Sequence, residues 1–226
     1  MKKILVIGGG AMGSAFTIPC IENNNKVTIT EPYSKTFIRD LSSKNKFHSS
    51  LKVNLSKKLK FKDFSLGLLQ EKFDLIVIAL SLSGIDFIGE KLKELKIKTP
   101  MLVLTKGLKY EKKNNRILTI SEQLKKNYKV PNISVLKGPC LAKELARKNQ
   151  TSVVIANKNI KTAKSIGKLI STRYYLTEYS KDVVGIEVCS AIKNIYSMII
   201  GAGQSLNSSS NLFQKSILEM KYLIKY

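Results

Sequence analysis

A short apolar run, Lys3-Ile-Leu-Val-Ile7, passes directly into Gly8-Gly-Gly-Ala-Met-Gly13, and this junction leaves the chain few folds to choose from. Four consecutive apolar residues of strand length, Ile4 to Ile7, are the pattern of a strand buried on both faces. The glycines that follow keep the spacing Gly8-x-Gly10-x-x-Gly13, and a helical stretch runs from Ala11 to about Glu22. Strand, glycine turn and helix in that order fit the dinucleotide-binding fingerprint. Gly8 turns tightly without a Cβ penalty, Gly10 admits the backbone to a pyrophosphate, and Gly13 lets the new helix pack close to the strand. The free N–H groups and dipole at the helix start attract the phosphates. A second strand, Val27 to Thr30, ends at Glu31. A carboxylate about 20 residues past the glycines is where the ribose hydroxyls of a dinucleotide are held. The plainer reading of Glu31 is a solvated strand end.

Downstream, apolar strand-length runs alternate with helical stretches. Strands are expected over Phe73 to Leu80, Met101 to Thr105, Ile133 to Leu136, Thr151 to Ala156 and Tyr174 to Thr177, with a shorter one within Leu55 to Asp63. Helices are expected over Ser34 to Ser43, Leu66 to Gln70, from Gly84 to near Lys98, over Asn114 to Asn127 and over Ile160 to Ser171. Such alternation predicts an α/β fold with a doubly wound, Rossmann-type, largely parallel sheet. Ligands in open sheets of this kind lie outside the carboxyl ends of the strands, and Lys106-Gly107 and Gly138 both follow strands. From Lys181 the texture changes to a long apolar helical pattern, Asp182 to Gly203, then a Ser-Asn loop, Leu206 to Asn211, and a helix from Leu212 to Tyr226. The predicted organisation is a dinucleotide-binding domain over 1–180 and the start of an all-α C-terminal domain over 181–226.

Charge and cysteine usage narrow the function further. The net charge of +23 comes from 39 basic against 16 acidic residues, but only Arg39, Arg116, Arg147 and Arg173 are arginines. Lysines spread over every presumed helix face, without arginine forks or stacking aromatics, do not make a nucleic-acid surface, whereas their field favours anionic small molecules. Cys20, Cys140 and Cys189 lie far apart with no metal-ligand spacing, so neither a disulfide framework nor a metal site is expected. No apolar run reaches the roughly 18 residues of a membrane span, and the first strand starts at once, leaving no signal peptide. The expectation is a cytoplasmic protein. The single histidine, His48, sits among Ser, Lys and Asn and is expected in a polar surface loop.

One polar pair interrupts the long apolar helix: Lys193-Asn194, within Gly185-Ile-Glu-Val-Cys-Ser-Ala-Ile-Lys-Asn194. A lysine there either snorkels to solvent or is held in a site. Together with the Gly8 to Gly13 turn, Thr105-Lys-Gly-Leu108 and Gly138-Pro-Cys-Leu-Ala-Lys-Glu144, this segment resembles the NAD(P)-dependent glycerol-3-phosphate dehydrogenases, over the length from Met1 to Tyr226. The resemblance implies interconversion of sn-glycerol 3-phosphate and dihydroxyacetone phosphate, feeding glycerophospholipid synthesis. By position, Lys193 resembles the proton acceptor and donor at the C2 oxygen, and Lys106 a lysine touching both substrate and cofactor. Asn194, Gly138 and Cys140 fall on substrate contacts, and Ala11, Met12 and Ala142 on cofactor contacts. A base must reach the C2 oxygen while hydride leaves C2, and a lysine can serve when burial and a second cation lower its pKa.

Three departures from the family's pattern qualify what the resemblance implies. Cys140 stands where the family has Ser or Thr. Pro32 replaces a basic residue that contacts a 2′-phosphate, which with Glu31 favours NAD over NADP. The family's further helical region, with an Arg-Asn pair for the substrate phosphate and an aspartate, has no counterpart here. The chain is therefore expected to lack most of its C-terminal helical domain, with a homodimer or a complementing chain as the source of that region and its activity left open. The alternatives are an NAD-binding pseudoenzyme or regulatory module without turnover, and a related dehydrogenase acting on a hydroxy acid.

Overall fold

The computed structural model describes residues 1–43 and 45–225. Its elements run β1 (Lys3–Ile7), α1 (Ala11–Glu22), β2 (Lys26–Thr30), α2 (Lys35–Ser43), β3 (Phe47–His48), β4 (Val53–Asn54), β5 (Lys60–Phe61), α3 (Leu66–Gln70), β6 (Leu75–Ile78) and α4 (Gly84–Glu94). They continue with β7 (Met101–Val103), β8 (Leu108–Glu111), β9 (Arg116–Thr119), α5 (Ile120–Tyr128), β10 (Ile133–Lys137), α6 (Ala142–Ala146), β11 (Thr151–Ala156), α7 (Ile160–Ile170), β12 (Tyr175–Ser180), α8 (Val183–Gly201) and α9 (Leu206–Lys225). Eight strands form one sheet in the order β12-β11-β10-β7-β6-β1-β2-β5. Every neighbouring pair is parallel except β10 with β11. The predicted doubly wound α/β fold is thus observed, with two helices following it.

Alternation along β1 explains why both faces of the sheet are covered. Ile4 and Val6 pack on one side with Phe16 and Cys20 of α1, and Leu5 and Ile7 on the other with Ile85, Ile88 and Leu92 of α4. Strand order changes direction at β1, which pairs with β2 on one side and β6 on the other. This switch point brings the turns after β1, β6 and β7 together at the carboxyl edge.

Several expected boundaries shift for local reasons. The helix expected over Asn114 to Asn127 starts only at Ile120. Before it, β8 and β9 form an antiparallel hairpin that turns through Asn115, at φ 45°. Thr119 stops β9 and starts α5, because its side chain accepts from Glu122 N while the Glu122 carboxylate accepts from Thr119 N. The Ser-Asn stretch expected as a loop is instead the first turns of α9. Ser205 Oγ accepts from Ser208 N at 3.2 Å and Ser208 Oγ from Ser205 N at 3.0 Å, a reciprocal cap. Tyr226, the expected last residue of that helix, lies outside the described residues.

His48 is not a surface residue: it is 1% exposed, in the small β3–β4 ladder, with its ring edge-on to Phe37. One helix, α8, is long and apolar enough on average to cross a membrane, at 19 residues, although Glu187 and Lys193 interrupt its apolar run. It buries Glu187 and packs on β10, α5 and α9. Val184, Ile195, Met198 and Ile199 on α8 stay exposed, as do Phe213, Leu218 and Tyr222 on α9.

Candidate active site

The glycine turn is shaped by close backbone approaches. A Cβ on Gly13 would stand 2.0 Å from the Gly8 carbonyl oxygen, and one on Gly8, at φ +115°, would stand 2.5 Å from the Ala79 carbonyl oxygen. Around Gly10, by contrast, nothing lies within 4 Å of where a Cβ would be. No side chain caps the start of α1 and no acid stands in its first turn. An uncapped helix N-terminus opening on free space fits the pyrophosphate of a dinucleotide.

Gly9, which carried no role in the sequence reading, is the pinned residue of the turn. Its N–H donates to Glu31 Oε2 at 2.7 Å, and Glu31 Oε1 accepts from Tyr33 N at 3.0 Å. Its carbonyl accepts from Ser14 Oγ at 2.7 Å and meets His48 Nε2 at 3.3 Å. His48 Nδ1 accepts from Leu51 N at 3.3 Å, so the ring proton sits on Nε2. Burial pushes the imidazole below its usual range, against the opposing pull of the Gly9 carbonyl. Glu31 thus stands at the end of β2 as expected, its carboxylate fixed by the turn and retaining acceptor capacity for hydroxyls.

Beside the turn, a cavity of about 350 Å³ opens at the carboxyl edge. Met12, Ala142, Lys106, Gly138 and Cys140, five residues singled out in the sequence, all line it. A second cavity of about 250 Å³ adjoins it across Lys137 and Gly138 and is lined by Ser190 and Lys193 of α8 and Met220 of α9. Asn194 is exposed and lines neither.

The site's electrostatics are those of amines short of counter-charge. Lys106 reaches the rim, where partial burial, and then the Lys193 ammonium, push its pKa below the usual lysine range while Cys140 pulls it back. Burial pushes the Cys140 thiol up against the pull of Lys106, so it stays a thiol at neutral pH. Tyr175, fully buried in the wall beside it, has a hydroxyl without a hydrogen-bond partner.

Two charged residues of the site have no role in the sequence reading. Lys137, at the end of β10, is 4% exposed and donates to the Thr105 carbonyl oxygen. Burial pushes its pKa down to about 8, with Glu187 opposing and Lys106 reinforcing. Glu187 of α8 is 2% exposed and accepts from Ser121 N and Ser121 Oγ at the start of α5. The only signal for Lys137 in the sequence is a lysine closing an apolar strand just before Gly138.

Residues 3–163 match a family model described as the NAD-dependent glycerol-3-phosphate dehydrogenase N-terminus. The chain is 27% identical over 212 residues to an NADP(+)-dependent glycerol-3-phosphate dehydrogenase of Archaeoglobus fulgidus, covering 92% of this chain and 62% of that protein. It is 30% identical over 213 residues to a glycerol-3-phosphate dehydrogenase [NAD(P)+] of Clostridium botulinum, covering 93% and 62% of the two chains. Among solved structures, a GPDH of Dunaliella salina superposes with a TM-score of 0.84 at 19% identity, over 99% of this chain and 42% of that one. The chain therefore spans under two thirds of the length of the first two.

Proposed function

The chain belongs to the NAD-dependent glycerol-3-phosphate dehydrogenase family, and on that premise we propose that it binds NAD(H) and interconverts sn-glycerol 3-phosphate and dihydroxyacetone phosphate. The observation that carries the reading is the convergence of Lys106 and Lys193 on adjoining cavities beside an uncapped glycine turn. In this reading the N–H groups after Gly10 hold the pyrophosphate, Glu31 the ribose hydroxyls, and Met12 and Ala142 border the nicotinamide end. The bound cofactor supplies the hydride acceptor or donor. Lys193 takes the C2 hydroxyl proton in oxidation and returns it in reduction, while Lys106 polarises the same oxygen. Cys140 and Gly138 complete the substrate side, whereas Asn194, which lines neither cavity, stands outside it. Glu31 bound to the turn, with Pro32 beside it, supports NAD over NADP.

The reading extends to a cytoplasmic enzyme supplying glycerol phosphate for phospholipid synthesis, with a cofactor domain over 1–180 and helices after it as the start of a substrate domain. No arginine lines either cavity among the described residues, and a phosphate ester binds best to a bidentate guanidinium. That observation supports a second reading, NAD binding without turnover, and a homodimer or a complementing chain as the source of the missing clamp. One assay separates the two: NADH and NADPH oxidation by dihydroxyacetone phosphate, alongside quenching of NADH fluorescence. Stoichiometric NADH consumption is the expected result. Quenching without consumption selects the second reading, and neither signal defeats both.

A further inference from the structure

Lys137 is costly where it stands. A buried ammonium destabilises a fold unless it is paired, and among the described residues no carboxylate comes within ion-pair distance of it. The nearest acid, Glu187, already accepts from Ser121. A leucine or methionine would fill the same space with no such penalty, so packing alone does not account for an amine there. Its one hydrogen bond goes to the Thr105 carbonyl, on the residue before Lys106. Thr105 is held from the other side as well, because its Oγ1 donates to the Leu80 carbonyl at 2.8 Å.

We propose that Lys137 is a positioning residue of this site: its amine fixes the Thr105 carbonyl and with it the take-off of Lys106, and its charge adds to that of Lys106 in the pocket shared with Lys193. This rests on the reading above, in which those two lysines handle the proton at the C2 oxygen. The groups facing Lys137 are Lys106 and Cys140 from the strand-end turns, and Glu187, Cys189 and Lys193 from α8. β11 and α9 contribute Val154 and Met220, neither charged. Burial and the neighbouring Lys106 ammonium both disfavour the charged form of Lys137, and Glu187 offsets them only in part. Lys137 releases its proton at about 8. Below that pH it adds a charge to the pocket that polarises a carbonyl, and above it the pocket is less electropositive.

The test compares the full chain with Lys137→Met, which removes amine and charge, and Lys137→Gln, which keeps a donor for the Thr105 carbonyl without the charge. In NADH oxidation by dihydroxyacetone phosphate between pH 6 and 10, the unaltered chain should show an inflection in kcat near pH 8. Both variants should lose it, with Lys137→Met at least about tenfold slower at pH 7, within the range for a positioned group, and KM for NADH changed less than about threefold. Unaltered pH profiles and rates in both variants would overturn the proposal. Urea unfolding supplies a readout that does not need turnover. A lysine whose folded pKa lies below its unfolded value makes the folded state gain stability as pH rises between the two. From pH 7 to 10 the folded-to-unfolded ratio of the unaltered chain should therefore rise on the order of a hundredfold relative to Lys137→Met. A difference independent of pH would also overturn it. If the unaltered chain does not turn over, the functional reading fails and the unfolding comparison still decides whether Lys137 carries a buried charge.

Discussion

The two ends of the site are built on opposite principles. At the glycine turn, polar groups are satisfied: Gly9 N–H meets a carboxylate, its carbonyl meets a hydroxyl and a neutral imidazole, and only the N–H groups meant for an anion are left open. At the lysine end the amines are under-paired: Lys106 faces the Lys193 ammonium, and the one carboxylate acting on Lys137, Glu187, is already engaged by Ser121. A binding surface gains from a rigid, satisfied frame, because ordering is completed before the ligand arrives. A proton-transfer surface gains from groups whose charge is held near balance, which requires leaving them partly unsatisfied.

The contrast predicts different losses at the two ends. Lys193→Ala should have the largest effect, lowering turnover by roughly 10² to 10⁴-fold, as for other positioned acid–base groups, with NADH quenching retained. Loss of quenching together with turnover would instead make Lys193 part of the frame. Gly13→Ala should act on the frame, because its methyl meets backbone 2.0 Å away. Urea unfolding should record about 2–3 kcal/mol of destabilisation, with NADH affinity lost in step. An unchanged midpoint would mean that the turn relaxes freely.

A smaller effect is expected at His48. Its folded pKa lies below the usual 6.5 through burial, so its contribution is intact above that value and is lost as pH falls through the lower folded one. Acidification below pH 6.5 should therefore weaken the chain. His48→Leu should cost about 1–2 kcal/mol at pH 7 for the two hydrogen bonds and flatten that acid dependence. The smallest change should come from Glu31→Gln, whose amide oxygen can still accept from Gly9 N. The fold should hold within about 1 kcal/mol while the Kd ratio of NADPH to NADH falls, as one negative charge near the ribose is removed. A ratio that does not move would remove Glu31 from cofactor choice.

The frame was legible in the sequence because its causes are local. Four apolar residues, three spaced glycines and an acid after the second strand each state their requirement within a few positions, and β1, α1 and β2 lie where that reading puts them. Lys106 was legible for the same reason, since it follows a strand end at the carboxyl edge, whereas Cys140 was legible only through the resemblance to a known family. His48 was not, because only the fold of α2 and the β3–β4 ladder carries a residue with polar neighbours under Gly9. Lys137 was hidden for a related reason. The strand β10 carries only one polar residue, Ser134, before its last, and whether that last residue faces solvent or a helix depends on α8, which arrives some fifty residues later. The strand β9 was read as the start of a helix because its four residues carry little periodicity, and only the reciprocal cap at Thr119 marks the true start of α5.

The strand order also carries a history of assembly. Starting from β1 paired with β2, each later strand of the main sheet joins an outer edge: β5 beside β2, then β6 on the far side of β1, then β7, β10, β11 and β12 outward in turn. No strand has to be inserted between two that are already paired, so the sheet can grow as the chain leaves the ribosome, without unthreading. The residues that approach the glycine turn most closely, up to Leu80, all lie in the first part of the chain. The lysine pocket comes last, because it needs β7, β10 and α8 together. Its one buried amine, Lys137, is covered by elements from three separate parts of the chain.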